Sequence, residues 1–167
     1  MLDAVIIRPY RDTDAEGIAN LYRRFNYGPT GYPLSTEDFQ RMLLERGAKL
    51  FLVAEFQEQS TIVGTMGFFS ISGQKMIQPN EIFASNFFIH PEFRKSRIPG
   101  QLFTKTIEML VDLGIEVIST EVDPTDTAAL GLYKRVGLYR TQACPLDYDG
   151  YLELRSYLPY VIRTLKE

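Results

Sequence analysis

The sequence predicts a mixed α/β fold of the α+β type, in which helices flank a twisted, mostly antiparallel sheet with a parallel strand pair at its centre. Two observations predict it. Segments 50–56 and 61–70 are rich in β-branched and aromatic residues and flank the polar stretch QEQS, which indicates an antiparallel hairpin. A strand at 82–90 is followed by a helical pattern and a strand at 117–122, and strands joined through a helix are normally parallel.

Length and composition favour one globular domain over residues 1–167. Hydrophobic residues make up 45% and charged residues 23% of the chain, as in ordinary proteins with their own core. The net charge of −3 argues against a nucleic-acid partner. A lone Cys144 forms no internal disulfide and, without a histidine cluster, no metal site. A start without an export signal, and no apolar run of spanning length, predict a cytoplasmic protein with no membrane partner.

The N-terminal half opens with a strand at 4–8 and two helices. Thr13 and Glu16 have the spacing of a capping box and predict the start of the first helix. The apolar positions that follow recur at helical spacing and predict its buried stripe: Ile18, Leu21, Tyr22 and Phe25. A loop rich in Gly, Pro and aromatic residues occupies 26–33, and the second helix begins at Ser35.

The C-terminal half continues with helices and strands. Pro91 ends the strand at 82–90, and segment 117–122 alternates like a strand. Two short late strands are expected at 138–141 and 152–157. Two amphipathic helices are predicted, one on each side of the strand at 117–122. The apolar stripe of the first consists of Leu102, Phe103, Ile107, Leu110 and Val111, and that of the second of Ala129, Leu132, Tyr133 and Val136.

The junction between the strand at 82–90 and the next helix has the chemistry of an anion site. A helix start exposes unpaired N–H groups and the positive end of its dipole, and Arg94, Lys95 and Arg97 crowd this turn. Pro99 suits a first helical turn, and Gly100 permits close backbone approach. A ligand with several phosphates is predicted, with a solvated basic turn as the alternative. The glycine patterns of P-loops and dinucleotide folds are absent from the sequence.

Four segments carry a resemblance to a known family: IIRPYRDTDAEGIANLY, FLVAEFQEQSTIVGTMGFF, FFIHPEFRKSRIPGQLF and DTAALGLYKRVGL. In this order and spacing they resemble the GNAT superfamily of acyl-CoA-dependent N-acetyltransferases over nearly the whole chain. The resemblance implies a GNAT-like fold and acetyl-CoA as the cofactor. It also implies transfer of the acetyl group to an amine of a small molecule or peptide by direct attack on the thioester.

The phosphate loop departs from the family pattern. Arg94 matches its first position, but Arg97 and Pro99 stand where small residues are usual. Pro99 lacks an N–H, and Arg97 reaches left-handed conformations at a cost, so we expect altered cofactor affinity and pose. The resemblance implies the following cofactor-binding residues: Phe87, Phe88, Ile89, Arg94, Lys95, Ser96, Arg97, Ile98, Pro99, Gly100, Gln101, Asp126 and Tyr133.

The resemblance also implies catalytic residues. Tyr133 matches the tyrosine that protonates the leaving thiolate, with core packing as the alternative. Ser85 aligns with the position where relatives carry a glutamate base, and Glu81 is a second base candidate. For Asp126 an N-cap is the favoured reading.

The resemblance further implies that the loop after the first helix contributes acceptor-binding residues, which here are Phe25, Tyr27 and Tyr32. Loop packing or contacts in a homodimer are the alternatives for these aromatic residues. A rival hypothesis for the whole chain is a non-catalytic acyl-CoA-binding or sensor domain, because the strand glutamate is missing and the loop is altered.

Overall fold

The computed structural model describes residues 4–27, 34–72, 75–76, 79–135, 137–140 and 152–166. The strands are β1 Val5–Pro9, β2 Ala48–Phe56, β3 Thr61–Phe69, β4 Ile71–Ser72, β5 Lys75–Met76, β6 Glu81–Ile89, β7 Val117–Val122, β8 Tyr139–Arg140 and β9 Leu152–Tyr157. The helices are α1 Ala15–Arg24, α2 Thr36–Glu45, α3 Ile98–Asp112, α4 Thr127–Arg135 and α5 Leu158–Lys166. Two compact units comprise 1–69 with 86–106, and 70–85 with 107–167. One domain over 1–167 stays a prediction.

The strands of the first unit follow the predicted hairpin. β1 pairs antiparallel with β2, and β2 pairs antiparallel with β3. The end of β6 lies beside β3, and the His90 N–H donates to the Val63 carbonyl at 2.7 Å. QEQS forms a tight turn in which Ser60 has a φ of 49°, a left-handed conformation suited to turns. The hairpin predicted from β-propensity is thus confirmed.

The core of the first unit forms between the amphipathic helices and the sheet. Its buried cluster confirms the predicted stripe of α1 and consists of Ala15, Ile18, Leu21, Tyr22, Phe39, Phe51, Val53, Ile62, Phe69 and Phe88, with Phe25 partly buried against it. Ser35 caps α2, because its hydroxyl accepts the Asp38 N–H at 3.0 Å.

The predicted capping box at Thr13 is wrong. A short 3₁₀ turn, Asp12–Asp14, precedes α1, and Asp14 Oδ2 accepts the Arg11 N–H at 2.7 Å. Arg8 donates two further hydrogen bonds to the same carboxylate, each at 2.7 Å. Asp14 therefore anchors this turn, since a buried ion pair with good geometry outweighs a weak local hydroxyl cap.

The second unit contains the predicted parallel pair. β6 and β7 are parallel from Glu81–Val117 to Ala84–Thr120, β7 pairs antiparallel with β9, and β9 pairs antiparallel with β8. With the antiparallel hairpin of the first unit, these pairings confirm a mixed, mostly antiparallel sheet. Among the described residues, every helix is too short or too polar to cross a lipid bilayer.

Three details of the second unit differ from expectation. β7 is buried at every residue except Glu121, so its burial does not alternate. This pattern is typical of a strand buried on both faces. Val111 is 49% exposed at the end of α3. The small hairpin β4–β5 and the helix α5 were not predicted.

Candidate functional site

The turn between β6 and α3 presents unbonded N–H groups. The Ser96 hydroxyl donates to the Phe93 carbonyl and accepts the Ile98 N–H at 3.2 Å, which caps the helix. The first helical hydrogen bond runs from the Gln101 N–H to the Arg97 carbonyl at 3.0 Å. Within the described part of the chain, the N–H groups of Lys95, Arg97 and Gly100 donate to no protein atom. A helix start of this kind binds anions.

The three cations of the turn have different roles. Arg94 Nε donates to the Ile89 carbonyl at 2.9 Å, and its guanidinium lies 5.4 Å from the centre of the Phe88 ring. Arg94 therefore ties the turn to the end of β6. Lys95 and Arg97 are exposed and, among the described residues, have no acidic partner within ion-pair distance. These two side chains are available to a ligand.

Two expectations about the turn were tested by its backbone. Pro99 lies in the first turn of α3, as predicted. The described non-glycine residues with positive φ are Asn26, Ser60 and Asn86. Arg97 is therefore not in a left-handed conformation. The conformational cost that we predicted for Arg97 is wrong, because the chain enters the helix without a left-handed residue at this position. A Cβ built on Gly100 meets nothing within 4 Å, so the space beside that backbone is open.

The second half of β6 leaves the parallel pairing. The register with β7 ends at Ala84–Thr120, and Asn86 follows with a φ of 58°. A left-handed residue inside a strand redirects it, as at a β-bulge. Phe87, Phe88 and Ile89, the segment that the resemblance implies for the pantetheine arm, come directly after this point. Ser85, the aligned base position, comes directly before it and is half-buried.

Two of the predicted acceptor residues pack against the ring of Phe88. Phe25 and Tyr27 lie with ring centres 6.0 and 4.8 Å from that of Phe88, and Tyr27 packs edge-on to Tyr22 at 4.8 Å. These contacts fit the packing alternative, and an acceptor role for Phe25 and Tyr27 stays a prediction. Tyr32 lies outside the described residues.

His90 closes this aromatic cluster. Its ring centre is 4.9 Å from Phe25 and 5.7 Å from Phe93, and its Nδ1 accepts the Glu92 N–H at 3.2 Å. Burial, with a smaller contribution from the positive charges of Arg24 and Arg94, lowers the pKa of His90 below its usual value. His90 is therefore neutral at pH 7 and carries its proton on Nε2.

In the second unit, Tyr133 is buried beside β7. Burial raises the pKa of its phenol, and hydrogen bonding with Thr120 offsets part of that rise. Thr120 Oγ1 donates to the Ala84 carbonyl at 2.7 Å. Asp126 Oδ1 accepts the Ala129 N–H at 3.0 Å, which confirms the N-cap interpretation.

The second base candidate is occupied by an ion pair. Glu81 is 5% exposed, and its Oε2 accepts a hydrogen bond from Arg155 at 3.2 Å. A catalytic role for Glu81 stays a prediction.

Sequence reasoning missed two features of the first unit. A cavity of about 1060 Å³ lies beside the turn, lined by α1, the β2–β3 hairpin and residues His90 to Ser96. The left-handed Asn86 was also missed, although a lone asparagine within the apolar strand FASNFFI is the residue type that tolerates this conformation. Among the described residues, no group of three or more His, Cys, Asp and Glu side chains could hold a metal ion.

Comparisons with solved structures identify proteins of similar fold. The structure is similar to yncA from Salmonella typhimurium, solved with its cofactor acetyl-CoA (16% identity, TM-score 0.73, 93% of this chain and 94% of that one). It is similar to the ribosomal-protein-S5-alanine acetyltransferase from Vibrio fischeri (15%, 0.72, 92% and 93%). It is also similar to the GNAT family N-acetyltransferase YhbS from Escherichia coli in complex with CoA (19%, 0.71, 97% and 84%).

These likenesses confirm the expected GNAT-like fold. No curated protein sequence matches this chain significantly. The sequence profile described as acetyltransferase (GNAT) family matches residues 15–138, which include β2, β3, β6, the turn and Tyr133. The chain belongs to the acetyltransferase (GNAT) family.

Proposed function

We propose that the chain is an N-acetyltransferase that transfers the acetyl group of acetyl-CoA to an amine of a small molecule or peptide. One observation carries the proposal: the start of α3 offers the N–H groups of Lys95, Arg97 and Gly100 beside two cationic side chains that have no ion-pair partner among the described residues. Such a donor set fits a diphosphate, which carries several acceptor oxygens and negative charge. Two structural neighbours were solved with acetyl-CoA or CoA, which supports the same ligand here.

The residues present fit the chemistry of acyl transfer. The amine nitrogen attacks the thioester carbonyl carbon, the carbon–sulfur bond breaks, the sulfur gains a proton and the amine loses one. We assign Tyr133 as the donor to the departing sulfur. Its raised pKa keeps the phenol protonated at neutral pH, so a hydrogen is always present as thiolate charge develops. The N–H groups of Phe87 to Ile89 are proposed to stabilise the oxyanion.

The residues that would accept the amine proton and contact the acceptor are assigned from the resemblance. Ser85 and Glu81 are the base candidates, and Ser85 suits a relay through water because its hydroxyl both donates and accepts. Phe25, Tyr27 and Tyr32 are proposed to contact the acceptor, which as an amine is attracted to aromatic faces. We propose the cytoplasm as the location of this activity, since the single Cys144 suits a reducing compartment.

The test is a thermal-shift panel followed by an assay of thiol release. Any ligand that binds the native state alone stabilises it, by about 2.7 kcal/mol at a hundred times its Kd. We expect acetyl-CoA and CoA to raise the Tm and adenosine alone to raise it little. Acetyl-CoA with a panel of amines, peptides and aminoglycosides should then release CoA. Binding without release from any acceptor would favour the non-catalytic domain, and no thermal shift would contradict a cofactor altogether.

A further inference from the structure

His90 joins the end of β6 to the turn at the start of α3. Its N–H donates to the Val63 carbonyl on β3 at 2.7 Å, and its own carbonyl accepts the Phe93 N–H at 2.8 Å. On the side chain, Nδ1 accepts the Glu92 N–H at 3.2 Å. Of these contacts, only the one at Nδ1 depends on the protonation state of the imidazole.

Hydrogen bonds continue from His90 to the first residues of α3. The Phe93 carbonyl, next to Glu92, accepts the Ser96 N–H at 3.1 Å and also accepts a hydrogen bond from the Ser96 hydroxyl. The same hydroxyl accepts the Ile98 N–H at 3.2 Å. The backbone that presents donors at the start of α3 is therefore held by a series of hydrogen bonds that begins at His90.

Aromatic contacts hold the imidazole beside the Glu92 N–H. Its ring packs edge-on against Phe25, the residue after α1, and edge-on against Phe93 in the turn. Phe93 in turn packs against Phe56, the last residue of β2, with ring centres 6.1 Å apart. The half-buried imidazole is therefore fixed between α1, the β2–β3 hairpin and the turn.

Protonation of His90 removes its hydrogen bond to the turn. A protonated imidazole carries a hydrogen on both nitrogens, so Nδ1 no longer accepts and its hydrogen faces that of the Glu92 N–H. The turn then loses the contact that links it to the side chain of His90, while the ring gains a positive charge.

Charged groups from several elements surround this ring. Burial lowers the pKa of His90, the positive charges of Arg24 on α1 and Arg94 in the turn lower it further, and the Glu92 carboxylate opposes them. Carboxylates from the α1 side and from the hairpin line the same cavity as His90, namely Asp14, Glu16, Glu55 and Glu58. Because its pKa lies below the usual value of about 6.5, His90 is neutral at pH 7 and becomes protonated in mildly acidic solution.

We propose that His90 is a positioning residue for the turn at the start of α3, and that its protonation weakens the binding of CoA. This inference rests on the proposed function, since it assumes that the turn holds the diphosphate of an acyl-CoA. With a neutral His90, the backbone up to Ile98 is ordered before the ligand arrives. With a protonated His90, the turn has to become ordered as CoA binds, and that ordering lowers the affinity.

The positive charge of a protonated His90 acts in the opposite direction, because it attracts a diphosphate. Lys95 and Arg97 already supply positive charge at the turn, and both are exposed to solvent. In 0.15 M salt, the field of a further charge is screened over roughly 8 Å. We therefore expect the lost hydrogen bond to outweigh the added attraction.

Calorimetric titration with CoA tests the role of the acceptor atom. The readout is the ratio of the Kd at about pH 5 to the Kd at about pH 7.5, measured for the full chain and two variants. His90→Asn places an amide oxygen near the position of Nδ1 and does not titrate. We expect the ratio for the wild type to exceed that for His90→Asn roughly three- to tenfold, as for the loss of one hydrogen bond. The phosphate monoester of CoA titrates at about pH 6 and contributes equally to both ratios.

His90→Phe is the matched variant that keeps the ring. It retains an aromatic side chain against Phe25 and Phe93 but has no acceptor at the position of Nδ1. At about pH 7.5 its Kd should exceed that of the wild type roughly three- to tenfold, and its ratio between the two pH values should equal that of His90→Asn.

The only histidine of the chain also allows a test without any substitution. NMR detection of the imidazole nitrogens during a pH titration gives the pKa of His90 in the free protein and in its complex with CoA. Binding and protonation are linked, so a ligand that prefers the neutral imidazole lowers this pKa. We expect a saturating concentration of CoA to lower the pKa of His90.

The possible results separate this inference from the proposed function. Equal ratios for the wild type and His90→Asn, a His90→Phe variant that binds CoA as tightly as the wild type, or a pKa of His90 that CoA leaves unchanged or raises each overturn the positioning role. The proposed function stands in all of these cases. Failure of the wild type to bind CoA at about pH 7.5 overturns both. If either variant does not fold, the NMR titration of the wild type decides alone.

Discussion

At the scale of single residues, the sequence predicted the burial of Tyr133 and Tyr22 but not their hydrogen-bond partners. The apolar stripe and the segment LYKRVG identified Tyr133 as a buried tyrosine or a proton donor, and its burial is confirmed. The hydrogen bond to Thr120 could not be predicted, because partners on separate elements meet only through tertiary structure. For the same reason, Tyr22 was predicted as a core residue and its hydrogen bond to Thr65 was missed.

Tyr133→Phe tests the acid at the residue scale. Removing only the hydroxyl should lower kcat by roughly 10²-fold, the lower end for a general acid, and lower stability by about 1 kcal/mol. Because burial raises the pKa of this phenol above its usual value of about 10, the wild type should not lose activity through Tyr133 between pH 7 and 9.5.

The measurement compares kcat across pH and thermal unfolding for both proteins. Tyr157→Phe, in the same unit and 71% exposed, is the matched control and should behave like the wild type. An unchanged kcat in Tyr133→Phe would remove this residue from the chemistry.

At the scale of elements, local patterns predicted the helices and strands well where the pattern was long. The α1 stripe, the β2–β3 hairpin and β7 agree within about two residues with their predicted bounds. The strands β4 and β5 are too short to carry a period. α5 follows β9 directly, and Pro159 in its first turn resembles a helix breaker although the position suits proline.

At the start of α3, removing one positive charge should change the affinity for CoA without changing the stability of the fold. Arg97→Ala should raise the Kd of CoA about five- to tenfold with little change in Tm, because its side chain has no described protein partner and only a phosphate contact is lost. Arg94→Ala should lower the Tm as well, since Arg94 ties the turn to β6.

Calorimetric titration with CoA and thermal unfolding give both quantities. Arg41→Ala, in α2 and with a side chain 62% exposed, loses the same charge and should leave the Kd unchanged. Equal losses of affinity in the Arg41 and Arg97 variants would indicate a general charge effect, and would contradict a contact at the turn.

For the whole molecule, sequence order predicted the pairing of strands and the position of the turn. Topology rules supplied the parallel β6–β7 pair, because a helix connects its strands. They could not supply the left-handed Asn86, whose hydrogen-bond partners lie on β3 and α1 and meet it only in the folded chain. The catalytic assignments therefore came from resemblance, and the hydrogen bonds around Asn86 from the structure.

The structure of the chain crystallised with CoA tests the central claim most directly. The diphosphate oxygens should lie about 2.7 to 3.2 Å from the N–H groups at the start of α3, with Lys95 or Arg97 in contact. The claim is contradicted if CoA is bound elsewhere in that crystal while the turn holds no phosphate.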